Sequence, residues 1–157
     1  MNPLTPEKTE GYVPRVLLVY DGTASAQQTL LQSEALSRWP DAVFVLVAAL
    51  QGPPPEQELA GVLDVFPEAA AAEQAHVRFV LERGADILKA HGFRVDALVV
   101  QSDCVDELIR IARSESAGLV AVAHRPEAPW SRQWWQTHVV RGLIERLPCG
   151  LMLLAVR

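Results

Sequence analysis

The feature that most narrows the possible folds is an apolar run that stops abruptly, R-V-L-L-V-Y-D-G-T at residues 15–23. Val16, Leu17, Leu18 and Val19 leave no polar face. An unbroken run of this kind suits a strand covered on both sides, as in a parallel sheet, rather than a half-exposed strand that alternates. Asp21, Gly22 and Thr23 end it, and a helix-forming segment follows. A carboxylate, a glycine and a hydroxyl therefore collect at the carboxyl end of the first strand, the place where ligands enter open α/β sheets.

The remainder repeats the same alternation. Residues 24–39 are expected to form a helix with Ala26, Leu30, Ser33 and Ser37 on one face and Leu36 beside them, capped by Thr23 or Ser25 and ended by Pro40-Asp41. Residues 43–50, V-F-V-L-V-A-A-L, read as the second buried strand, which completes a right-handed strand–helix–strand unit. Residues 51–67 contain Q-G-P-P-P and are expected to form a mobile loop with a short helical turn at 56–65. A long helix is expected over 68–91, with Val77, Val80, Leu81, Gly84 and Leu88 on its buried face, His76 and His91 facing solvent, and Gly92 as a left-handed cap. Strand three follows at 95–100. The next helix starts at Ser102-Asp103 with Val105, Leu108, Ile109 and Ala112 as its stripe, and strand four is G-L-V-A-V-A at 118–123. Residues 124–138 read as a polar, Trp-rich loop and helix start. Val140, Leu143, Ile144 and Leu147 form the stripe of the last helix, Pro148-Cys149-Gly150 break it, and residues 151–156 are strand five.

Five strands alternating with four helices predict an α/β fold: a doubly wound five-stranded parallel sheet, Rossmann-like, with helices on both faces. The first strand is expected to be central, so that the ends of strands one and four meet at the switch point. Residues 1–13 are read as a flexible N-terminal tail and 14–157 as one domain. The tail, M-N-P-L-T-P-E-K-T-E, has no basic patch followed by an apolar stretch, so no signal peptide is expected. No apolar run is long enough to span a membrane. Cys104 and Cys149 form neither a disulfide framework nor a metal spacing, and a cytoplasmic setting is expected. Cys104 lies in the first turn of a helix, where a thiol pKa can fall, but no histidine stands near it in sequence, and a buried or idle thiol is the expectation.

The net charge of −5 is uneven. Residues 1–123 hold nine Lys and Arg against seventeen Asp and Glu, a balance of −8, while residues 124–157 hold five Arg against Glu127 and Glu145, a balance of +3. This is either ordinary scatter or an anion-friendly rim near the end of strand four. No charge run typical of nucleic-acid binders is present.

The chain from about residue 15 to 156 resembles the universal stress protein (UspA) family. The resemblance rests on V-L-L-V-Y-D-G-T at strand one, on D-E-L-I-R-I-A-R before a buried strand, and on the ending L-I-E-R-L-P-C-G-L-M-L-L. It implies the strand order 3-2-1-4-5. It also implies that Asp21 matches the aspartate that contacts the nucleoside part in nucleotide-binding members. Those members carry G-x2-G-x9-G-[ST] after strand four. Counting back from Pro148-Cys149 aligns its four fixed positions with His124, Glu127, Thr137 and His138. No glycine survives, so β-carbons block close backbone approach to a phosphate, and Glu127 adds a like charge. Pro126 removes one donor.

What stands there instead is P-W-S-R-Q-W-W at 129–135. Trp130, Trp134 and Trp135 either fill the vacated crevice or form a surface for a partner protein; stacking on nucleic acid has no wider basic face to support it. The expected ligand crevice comprises Asp21, Gly22, Thr23, His124, Arg125, Arg132, Thr137 and His138. Asp21, His124 and His138 also offer the two histidines and one carboxylate of a known metal set, although their spacing matches no recognised motif. The resulting expectation is a non-enzymatic, dimeric stress-response or signalling module that does not bind ATP and needs no cofactor. Two alternatives stay open: a nucleotide binder that cradles phosphates with the side chains of His124, Arg125, Arg132 and His138, and a metal-dependent enzyme at the same crevice. The dimer is expected through the fifth strand, at Leu151, Leu153 and Ala155, because an apolar edge strand without charge or proline invites pairing.

Overall fold

The computed structural model describes residues 14–50, 67–101, 104–124 and 130–154, with side chains described over all of these except 67–70 and 130–135. The expectations for residues 1–13, for the loop turn at 56–65, for the helix start at Ser102-Asp103, and for Arg125, Pro126, Glu127 and Ala155 lie outside the described residues.

The element order is β1 (Arg15–Tyr20), α1 (Ala24–Leu31), a 3-10 turn (Glu34–Arg38), β2 (Val43–Leu50), α2 (Pro67–Ala90), β3 (Arg94–Gln101), α3 (Cys104–Ser114), β4 (Leu119–Ala123), α4 (Trp130–Arg146) and β5 (Gly150–Leu154). The strands form one sheet in the order β3-β2-β1-β4-β5, and every pairing is parallel. The expected fold class and strand order are therefore what the chain adopts.

Strand periodicity divides the interior in two. Successive side chains point to opposite faces. Val16, Leu18, Tyr20, Phe44, Leu46 and Ala48 share one face with α1 and the buried stripe of α2, including Val77, Leu81 and Leu88. Leu17, Val19, Val45, Val47 and Ala49 share the other with Leu108, Ile109 and Ala112 of α3 and Val139 and Leu143 of α4. The central strands are apolar without interruption because both of their faces are covered.

Three local expectations are corrected. Residues 24–39 are not one helix: α1 stops at Leu31, and Ser33 is extended, with φ −69° and ψ 126°. The Ser33 hydroxyl accepts from the Ala35 N–H at 3.2 Å and starts a separate 3-10 turn, so Ser33 and Ser37 do not continue the face of Ala26 and Leu30. The last helix begins at Trp130, so the three tryptophans lie on helical backbone rather than in a loop. In that helix Ile144 is 68% exposed, while Val139 and Leu143 are fully buried. The face is set by Gly142, where an added β-carbon would stand 2.7 Å from Val105 Cγ1 of α3; packing against this glycine turns Ile144 outward.

Candidate functional site

The crevice is built where β1 ends. Asp21 is buried, with 7% of its surface exposed. Its Oδ1 accepts from the Thr23 N–H at 3.0 Å and from the Thr23 hydroxyl at 2.6 Å. The same hydroxyl accepts from the Ala26 N–H at 3.2 Å and so caps α1. Thr23 thus spends its proton on Asp21 and a lone pair on the helix, and acts as the part that aims the carboxylate. Gly22 between them has φ +89°, in the left-handed region. A β-carbon there would meet Leu50 Cδ2 at 2.7 Å and Val77 Cγ2 at 3.5 Å, so the end of β2 and α2 close over the turn.

Beneath the turn lies a polar contact that the pattern of the sequence did not signal. Tyr20 is fully buried, and its hydroxyl accepts from Gln27 Nε2 at 3.1 Å. Gln27, also buried, donates from the same nitrogen to the Val80 carbonyl at 2.8 Å. Gly84 makes room for it: a β-carbon there would fall 2.2 Å from Gln27 Nε2. The sequence pattern puts Gly84 on the buried face of its helix, but nothing in it links Gly84 to Gln27. Burial pushes the Tyr20 phenol up to about 12; the Gln27 hydrogen bond pulls the other way, and the charge of Asp21 adds to the rise.

The opposite wall is the end of β4. The β1–β4 register ends at the pair Val19–Val122, which leaves Asp21 and His124 each two residues beyond it. The His124 N–H donates to the Leu154 carbonyl at 2.7 Å, which ties this wall to β5. The His124 ring is partly buried, with Nδ1 3.5 Å from Gln136 Nε2. Thr137 and His138 are exposed and lie in the body of α4, eight and nine residues along a helix that starts at Trp130. They do not stand at its first turn, whereas the sequence reads residues 124–138 as a loop and helix start. Arg132, Trp130, Trp134 and Trp135 belong to the first turns of the same helix. Among the described residues no group of three or more His, Cys, Asp or Glu side chains is placed to hold a metal ion, so Asp21, His124 and His138 do not form one. His76 and His91 are exposed, as expected, and Cys104 is buried at the start of α3. Among the described residues no helix is long and apolar enough to cross a membrane.

A family model described as "Universal stress protein family" matches residues 13–155. No curated protein matches the chain significantly. Among solved structures, the hypothetical protein MJ0577 is 14% identical with a TM-score of 0.67, over 91% of this chain and 96% of that one. Universal stress protein UspA from Lactobacillus plantarum is 14% identical with a TM-score of 0.62, over 92% and 99%. The universal stress protein from Archaeoglobus fulgidus in complex with dAMP is 14% identical with a TM-score of 0.57, over 91% and 98%. At this identity the likeness concerns the fold.

Proposed function

The chain belongs to the universal stress protein family, and we propose that within it this protein is a non-enzymatic stress-response or signalling module whose crevice does not hold ATP. One observation carries the reading. An anion is held at a helix end by the first N–H groups, which have no intrahelical partner. Thr137 and His138, which align with the family's Gly-[ST] pair, sit two turns inside α4, where N–H groups are engaged within the helix. His124 replaces a further glycine and adds a ring at the wall of the crevice. Asp21 is retained and aimed by Thr23, which keeps in the crevice an acceptor suited to a hydroxyl or amine donor of a small ligand.

Isothermal titration with ATP and with AMP, each with and without magnesium, tests this. The expected result for ATP is no saturable binding tighter than ~100 μM, roughly −5.5 kcal/mol. Tighter binding would overturn the proposal. It would favour the second reading, in which the side chains of His124, Arg125, Arg132 and His138 replace the glycine loop; the dAMP complex of the Archaeoglobus fulgidus relative gives that reading its support. The module is further proposed to be a homodimer joined along β5. That strand is one edge of the sheet, and Leu153 on it is 46% exposed.

A further inference from the structure

The sheet has a second edge, which the crevice and the dimer leave unused. Among the described residues β3 pairs only with β2, so a row of its N–H and C=O groups faces outward. Exposed edges of this kind are commonly blunted by charge. The amino half of β3 is blunted so, by Arg94 and Asp96, both exposed. The carboxyl half, Leu98-Val99-Val100-Gln101, carries no charge.

A cavity flanks that half on each face. On the α3 face Leu98, Val100 and Ile111 line a space of about 340 Å³. The charges around it are already matched: Glu107 with Arg110 at 2.7 Å, and Glu115 with Arg15. This side suits an apolar side chain. On the α2 face Leu50, Gln74, Arg78, Val99 and Gln101 line a space of about 220 Å³. Among the described residues Arg78 has no ion-pair partner, two carboxamides stand with it, and no acid lines the cavity. This side suits a carboxylate. Both cavities reach the strand at Val99 and Gln101, so they meet across its open edge.

Strand addition uses such an arrangement: main-chain hydrogen bonds supply affinity, and pockets on alternate faces select the side chains. We propose that the carboxyl half of β3 docks an extended peptide segment of a partner protein as a sixth strand. An apolar side chain of the peptide enters the α3-face cavity, and the neighbouring acidic side chain, on the opposite face, meets Arg78. The proposal does not depend on what the Asp21 crevice binds.

The test is fluorescence anisotropy with a labelled synthetic hexapeptide in which tryptophan or leucine alternates with glutamate. A second peptide has lysine in place of glutamate, and a third is the glutamate peptide with its backbone N-methylated. The glutamate peptide is expected to bind saturably, the lysine peptide about tenfold more weakly or worse, and the N-methylated peptide not measurably. Arg78→Glu, on an exposed helical position, should reverse the preference, and Arg78→Gln should remove it. Hydrogen exchange should slow at residues 98–101 only when the glutamate peptide is added. Equal binding of the two charged peptides, binding indifferent to N-methylation or to Arg78→Glu, or no saturable binding would each overturn the proposal. So would edge amides already protected in the free protein, because the edge would then be occupied by this chain or by a second copy.

Discussion

Tyr20 shows how a single side chain at the floor of the crevice reports on its surroundings. Its hydroxyl is buried against Gln27 and lies next in sequence to the carboxylate of Asp21, so ionisation is opposed by lost hydration and by a like charge. The folded-state pKa of about 12 stands above the ordinary 10. A raised pKa means that the folded state holds the proton more tightly. The corresponding stability is complete below pH ~10 and is lost as the pH climbs from there through ~12. Tyr20→Phe removes the ionising group and keeps the ring. Its melting temperature is expected to fall less between pH 9 and pH 11 than that of the parent, although at pH 7 the lost hydrogen bond costs about 0.5–1.5 kcal/mol. Parallel thermal melts across that range check this, and curves that stay parallel would contradict the assignment.

Among the elements, the fit of α1 against α2 turns on one glycine. Alanine is favoured over glycine inside a helix by about 1 kcal/mol, yet Gly84→Ala is expected to destabilise by about 1–3 kcal/mol, because its methyl group displaces Gln27 from Tyr20 and Val80. Gln27→Ala should rescue it, so that the double variant is more stable than the sum of the singles; urea unfolding of the four proteins measures that coupling. This contact also marks the limit of what the sequence discloses. The strands β1 and β2 were legible because both of their faces are covered, which leaves an unbroken apolar signature. The carboxyl-end position of Asp21 and the left-handed Gly92 were legible for similarly local reasons. Gln27 and Val80 are 53 residues apart, and a polar residue in a helix resembles a solvent-facing one until its partner is placed. The break at Ser33 depended on a hydroxyl choosing Ala35 over continued helix. The direction of Ile144 depended on Gly142 meeting Val105 on another element. The start of α4 at Trp130 is not marked in the sequence, because tryptophans at 130, 134 and 135 suit a packed loop as well as a helical face, and that start governs the phosphate argument.

At the scale of the whole molecule, the strand at each end of the sheet has an open side among the described residues. Along β5, Gly150–Leu154 is uncharged, and a two-fold axis would pair it with its own copy in antiparallel fashion. Light scattering at micromolar concentration is expected to give the mass of a dimer, and Leu153→Lys that of a monomer with unchanged circular dichroism. A parent protein that runs as a monomer would rule out the β5 pairing. The sheet itself has another effect. It is a wall between two interiors that share no side chain, one against α1 and α2 and the other against α3 and α4. Substitutions placed on opposite sides of that wall have separate neighbours, so their costs add, whereas those on one side must be reconciled with each other. Each half of the interior is thus free to drift at its own pace, and a lineage can rewrite one while the other holds the strand order in place.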